Sequence, residues 1–164
     1  MPWAGALYAC DFSWWEKNQD CWRDFDGMKF TWSADAAAAF NLIYAPGRKG
    51  EGLGKQVIHA GGSSGFMAVG LAYFLGASEI YLLGFDMQFT GGKSHWHGDH
   101  QKTSNPTPDM MRLWVERFVP LWRDLDQIGI PLINCTRETA LTIPRMTLED
   151  VLHEPKPSRI LAKQ

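Results

Sequence analysis

Short apolar runs alternate along the chain with longer segments whose apolar positions recur at helical spacing, a pattern that predicts strands interleaved with helices. The run GALYACD (5 to 11) ends in an acid and leads into FSWWEKNQDCWRDF, whose aromatics recur at helical spacing, so a strand is expected to feed a helix. DGMKFTW predicts a second short strand, and SADAAAAFNL an alanine-rich helix with Ser33 as its N-cap. YAPGRKGEGLGK (44 to 55) combines four glycines with a proline and net positive charge, which predicts a mobile surface loop, read as a tolerated insertion rather than a phosphate clamp. A strand at 56 to 59, a glycine and serine turn and an apolar helix at 64 to 75 follow, then the buried strand SEIYLLGFD with an acid at its carboxyl end. PTPDMMRLWVERFVPLWRDLDQIG is an amphipathic helix with prolines at its start, and IPLINC is a last core strand. This order predicts an α/β fold: a doubly wound, mainly parallel sheet with helices on both faces. One domain is expected over 1–152, with the tail HEPKPSRILAKQ (153–164) frayed.

Composition narrows the classes of function. With 164 residues, 45% hydrophobic and 21% charged, the chain suits one domain with a real core. A formal charge of -2 gives no broad basic footprint, so no nucleic-acid partner is expected, while a nucleotide or a neutral glycan stays compatible. Cys10, Cys21 and Cys135 form neither a C-x-x-C pair nor an even framework, which predicts reduced thiols and a cytoplasmic protein. No stretch approaches the ~18 apolar residues of a membrane span, so no membrane partner is expected either. Eight tryptophans are many for this length, and the pair Trp14 and Trp15 is read as packing before ligand contact.

In open α/β sheets, ligands bind outside the carboxyl ends of the strands. Four segments reach that edge: Cys10 and Asp11, HAGGSSG (59 to 65), GFDMQ (84 to 88) and NCTRET (134 to 139), the last bringing Asn134 and Thr136. In AGGSSG, Gly61, Gly62 and Gly65 let backbone N–H groups approach an anion, and Ser63 and Ser64 sit at a helix N-terminus. Anion site and plain helix cap are readings of equal standing there. Asp86 is either a turn acid or a group for a ribose or a metal.

The stretch GGKSHWHGDHQK (91 to 102) has the spacing H-x-H-x-D-H over His95, His97, Asp99 and His100. A two-zinc hydrolase carries such spacing directly after a core strand and draws further ligands from later strands, whereas this chain supplies only His153 afterwards. That reading ranks last. Three others stay open: one metal ion held by His95, His97 and His100, a solvated polar loop, or a single histidine acting as general base, for which an ordinary pKa near ~6.5 is suited.

HAGGSSGFMAVGLAYFLGASEIYLLGFDM resembles the central segment of a phage and prophage protein family related to the domain-of-unknown-function 115 group, which includes the pterin diphosphokinase-like proteins and the flagellin glycosylation factors. ALYACDFSWW, GGKSHWHGDH and INCTRETALTIPRMTLEDVL have counterparts in the phage family as well, so the resemblance spans most of the chain. More distantly, the chain is similar to bacterial sialyltransferases of glycosyltransferase family 42.

These resemblances imply a Rossmann-like sheet and a nucleotide or nucleotide sugar as ligand. The turn at Gly62, Ser63, Ser64 and Gly65 would contact the donor, and the strand end at Cys10 and Asp11 would lie against the nucleoside. The loop from His95 to His100 would bear the base that deprotonates an acceptor hydroxyl as it attacks the anomeric carbon. His100 is the first choice for that base, with His97 and Asp99 as alternates. Relatives carry a further strand before the segment matching MPWAGALYACD, so the sheet is expected to lack the family's first strand. The implied function is a phage-type glycosyltransferase-like protein in the cytoplasm of a bacterial host. The alternatives are a nucleotide-binding protein without chemistry, sequestering its ligand or working through a partner, and a metal-dependent hydrolase. A truncated sheet edge and many tryptophans also predict a homo-oligomer.

Overall fold

The computed structural model of the protein describes residues 3–95, 98–100 and 104–153. His97 and residues 154–164, part of the tail segment, lie outside the described residues. The protein is a mixed α/β fold whose strands are short and whose ladders are all parallel. Strands β1 (Ala6–Tyr8), β2 (Met28–Thr31) and β3 (Ile43–Tyr44) pair in that order. Strand β4 (Gly47–Lys49) pairs with β5 (Ile58–Ala60), and β6 (Ile80–Leu82) with β7 (Leu132–Asn134). Only Ala45 and Pro46 separate β3 from β4, and both take part in the pairing: Ala45 N–H donates to the Thr31 carbonyl at 2.8 Å, and the Pro46 carbonyl accepts from Ile58 N–H at 3.2 Å. A single course of chain therefore joins β2 on its first half to β5 on its second.

Among the described residues six helices accompany these strands: α1 (Phe12–Lys17), α2 (Gln19–Trp22), α3 (Ala34–Phe40), α4 (Ser64–Phe74), α5 (Pro108–Gln127) and α6 (Leu148–His153). The helix expected after the first strand is two helices. They part at Asn18, whose side-chain amide donates to the Trp14 carbonyl at 2.8 Å alongside its own backbone N–H at 3.1 Å. Ser33, Ser63 and Thr107 cap α3, α4 and α5, each hydroxyl accepting the N–H three residues on. Long α5 tolerates Pro120 in its interior, which removes the N–H that would bond to the carbonyl one turn earlier. Among the described residues no helix is long and apolar enough to cross a membrane.

Side chains alternate across a strand, and β1 shows where they go. Leu7 and Ala9 pack into a small core with Trp15, Trp22, Ala36 and Leu42 from the α1–α3 segment. Tyr8 and Cys10 point the other way, against a larger core built by α4, α5 and strands β2, β5, β6 and β7. The aromatic run is packing, as expected. Trp15 is 0% exposed, stacks edge-on against Trp14 and Trp22, and donates its indole N–H to the Ala9 carbonyl at 3.0 Å. Trp22 does the same to the Trp15 carbonyl at 2.8 Å, so neither buried indole leaves a polar atom unsatisfied.

The segment 44 to 55 differs from its expectation as a mobile loop. It contributes β4, buries Leu53, and is tied to α5 where Asp124 Oδ2 accepts the Leu53 N–H at 2.8 Å. Gly50 and Gly54 lie against the His59 ring, whose Nδ1 is 2.8 Å from the Glu51 carbonyl. Its glycines serve close packing of backbone against ring, which composition alone reads as looseness.

Candidate functional site

The predicted site residues fall in three groups, two of which follow the carboxyl ends of strands. The first surrounds the head of α4. Gly62 has φ +89°, a left-handed conformation suited to glycine, and places Ser63 to cap α4. A Cβ on Gly62 would come within 2.7 Å of Arg117 Nη1 and 3.0 Å of the Trp114 indole nitrogen. Thus α5 lays a guanidinium and an N–H donor directly on the glycine turn. Sequence reading named Gly61, Gly62, Ser63, Ser64 and Gly65 but missed Arg117 and Trp114. Their separation by one helical turn on α5 was the available signal, and it pointed nowhere until α5 was placed against α4. The turn is also wedged by aromatic rings: Phe66 fills the space beside Gly61, and Phe85 lies 2.8 Å from where a Cβ of Gly65 would be.

Cys10 and Asp11 follow β1 into this group. The Cys10 N–H donates to Ser64 Oγ at 3.4 Å, the two side chains meet at 3.0 Å, and the thiol donates to Asp11 Oδ2 at 3.4 Å. Burial pushes the Cys10 thiol up to about 11, helped by the adjacent Asp11 charge and opposed by the Ser64 hydrogen bond. Burial likewise raises the neighbouring Tyr8 hydroxyl well above its ordinary value. The thiolate is the nucleophile, so Cys10 is expected to alkylate slowly at neutral pH and to speed up as pH approaches 11. Exposed Cys21 should react first, as peptide mapping after timed iodoacetamide treatment would show.

The second group joins the ends of β6 and β7. Asn134 is 0% exposed, and its amide is used at both ends: Nδ2 donates to Thr139 Oγ1 at 3.0 Å, and Oδ1 accepts the Thr136 N–H at 3.0 Å. Thr139 in turn donates to the Phe85 carbonyl at 2.7 Å, Thr136 Oγ1 accepts the Phe85 N–H at 2.9 Å, and the Asp86 carbonyl accepts the Ala140 N–H at 2.8 Å. Asn134 and Thr136, predicted as ligand contacts, thereby frame the segment carrying Asp86. Met87 follows with φ +51°, a conformation that costs a non-glycine residue about 1–2 kcal/mol. Asp86 lies in the wall of a cavity of about 930 Å³ bounded by the ends of both strands and by α6.

The third group is the histidine loop. Thr90 and Lys93 exchange backbone hydrogen bonds at 3.1 Å around Gly91 and Gly92, both with positive φ, a tight hairpin that launches the loop. Ser94 donates to Asp99 Oδ1 at 3.0 Å, and the His95 and His100 rings lie 4.2 Å apart. Asn105 accepts the His100 N–H at 2.7 Å and holds its backbone. Among the described residues no group of three or more His, Cys, Asp or Glu is arranged to hold a metal ion. His97, the second predicted base and a candidate metal ligand beside His95 and His100, lies outside them. Among the described residues that line the cavity there is no histidine, although Thr90 at the base of the hairpin is one of them.

The glycine turn at the head of α4, with Arg117 and Trp114 beside it, follows β5, and the carboxylate-lined cavity lies at the ends of β6 and β7. Set against family models, curated proteins and solved structures, the chain matches none of them.

Proposed function

We propose that the protein binds a nucleotide or nucleotide sugar at the head of α4, on a Rossmann-like, doubly wound sheet of the kind used by glycosyltransferases. Supporting the sheet are its parallel ladders and the division of β1 side chains between two cores. The observation that carries the ligand is the meeting of Arg117 and Trp114 with Gly62. A helix N-terminus presents unsatisfied N–H groups, a glycine lets an anion approach the backbone, and a guanidinium adds charge-assisted hydrogen bonds suited to phosphate. Cys10 and Asp11, held beside Ser64, would then lie along the nucleoside. Relation to the phage and prophage family, and a phage origin, belong to the same proposal.

The direct test is thermal shift of the purified chain against nucleoside mono- and diphosphates and their sugar conjugates. Stabilisation by at least one of them is expected, together with slower alkylation of Cys10 in its presence. No shift from any member of the panel removes the reading. For sugar transfer, His100 is the proposed base. His100→Ala is expected to cut donor hydrolysis or transfer by about 10²–10⁴-fold, the usual worth of a general base, while binding persists. Turnover unchanged in that variant takes His100 out of the role; binding without turnover in the parent chain favours a protein that sequesters its nucleotide.

A further inference from the structure

The sheet face that carries the larger core is left uncovered toward its amino edge. Tyr8, Phe30 and Ile43 are register partners along β1, β2 and β3 and share that face; Met28, two residues before Phe30, shares it by the alternation of strand side chains. Helix α4 lies over β5 and ends at Phe74, while α3 packs on β2 and β3 from the opposite face, with the smaller core. Met28 and Ile43 are therefore 48% and 46% exposed, and Phe74 and Leu75 at the end of α4 are 41% and 52% exposed. Between the helix end and the strands runs a groove of about 210 Å³, with Phe30, Ile58, Leu71 and Phe74 in its wall. Large apolar side chains gathered in one patch mark an interaction surface, whereas scattered ones are ordinary surface.

The charges around this patch differ from side to side. Exposed Asp24 and Asp26 lead into Met28 on the β2 side, and exposed Lys55 stands next to Gln56, a groove residue, on the β5 side. The joined course of β3 and β4 runs between β2 and β5, so acid and base flank the groove from opposite sides. One chain carries both halves of a complementary pair around an apolar centre. An isologous two-fold contact needs that arrangement, because each residue then meets its complement on the other copy. The formal charge of -2 adds little general repulsion between copies.

We infer that the protein pairs with a second copy of itself through this amino edge, with Ile43 and Phe74 at the centre and Asp26 of each copy facing Lys55 of the other. The glycine turn lies at the opposite end of α4, so the pairing does not rest on the nucleotide reading. The test is sedimentation velocity on the full chain from low to high micromolar concentration. A mass-action shift from 18.5 kDa to twice that mass is expected. Phe74→Ser should weaken association about tenfold or more by removing apolar area from the centre. Asp26→Lys and Lys55→Asp should each weaken it about tenfold through like-charge juxtaposition, and the two together should restore it. Both charged positions are exposed, so these variants keep the test usable if Phe74→Ser folds poorly. A monomer at every concentration overturns the inference and leaves the patch to a different protein. A dimer indifferent to all these changes, or weakened by the single charge reversals without rescue in the double variant, overturns it as well.

Discussion

Phe118→Ala is expected to lower the free energy of unfolding by about 3–5 kcal/mol, a large part of the stability of an ordinary domain. Phe118 is 0% exposed on the buried face of α5, so its loss removes both transfer free energy and packing partners. Its ring meets Phe66 at 5.5 Å and Phe85 at 5.9 Å, edge-on in both cases. Phe66 supports Gly61 and Phe85 lies over Gly65, so the same ring braces both sides of the glycine turn. Urea unfolding should show the lower midpoint, and nucleotide affinity should fall even at low temperature where the variant stays folded. A stability change under about 1 kcal/mol would mean that the three rings do not form the packed unit described here.

Gly62→Ala is expected to weaken nucleotide binding by about tenfold or more, equivalent to ~1.4 kcal/mol, with a smaller effect on the fold than Phe118→Ala. Two costs act at this position. The φ of +89° disfavours any Cβ by about 1–2 kcal/mol, and the added carbon falls 2.7 Å from Arg117 Nη1. The guanidinium sits at the end of a flexible side chain and can swing aside, so the clash displaces the phosphate-binding group without disturbing the core. Gly76→Ala is the matched control: its φ of +83° imposes similar strain, and a Cβ there meets no atom within 4 Å. Both variants should lose comparable stability, and only the first should lose binding. Equal nucleotide affinity in the two would separate Gly62 and Arg117 from the ligand.

What the sequence by itself determined were the features governed by near neighbours along the chain. The alternation of apolar runs with helical periodicity gave the α/β class; the hydroxyl caps at Ser33 and Ser63 and the indole packing of Trp15 were readable because a residue and its immediate spacing decide them. The glycine turn was visible for the same reason, although both its readings had equal standing. Composition misled over 44 to 55, where glycines that suggested looseness instead admit the His59 ring and let Leu53 reach Asp124.

Only the tertiary structure decided which distant groups meet. Arg117 comes to Gly62 across 55 positions because α5 packs on α4 through Phe118 and Phe66, and no local pattern encodes that pairing. Asn134, read as a ligand contact from its place at a strand end, became the hub that fixes Phe85 and Asp86 once Thr136 and Thr139 folded back onto it. Local periodicity specifies which face of an element is apolar. Which elements those faces meet, and which polar groups are left at the edge for a ligand, is set by burial and hydrogen-bond satisfaction over the whole chain.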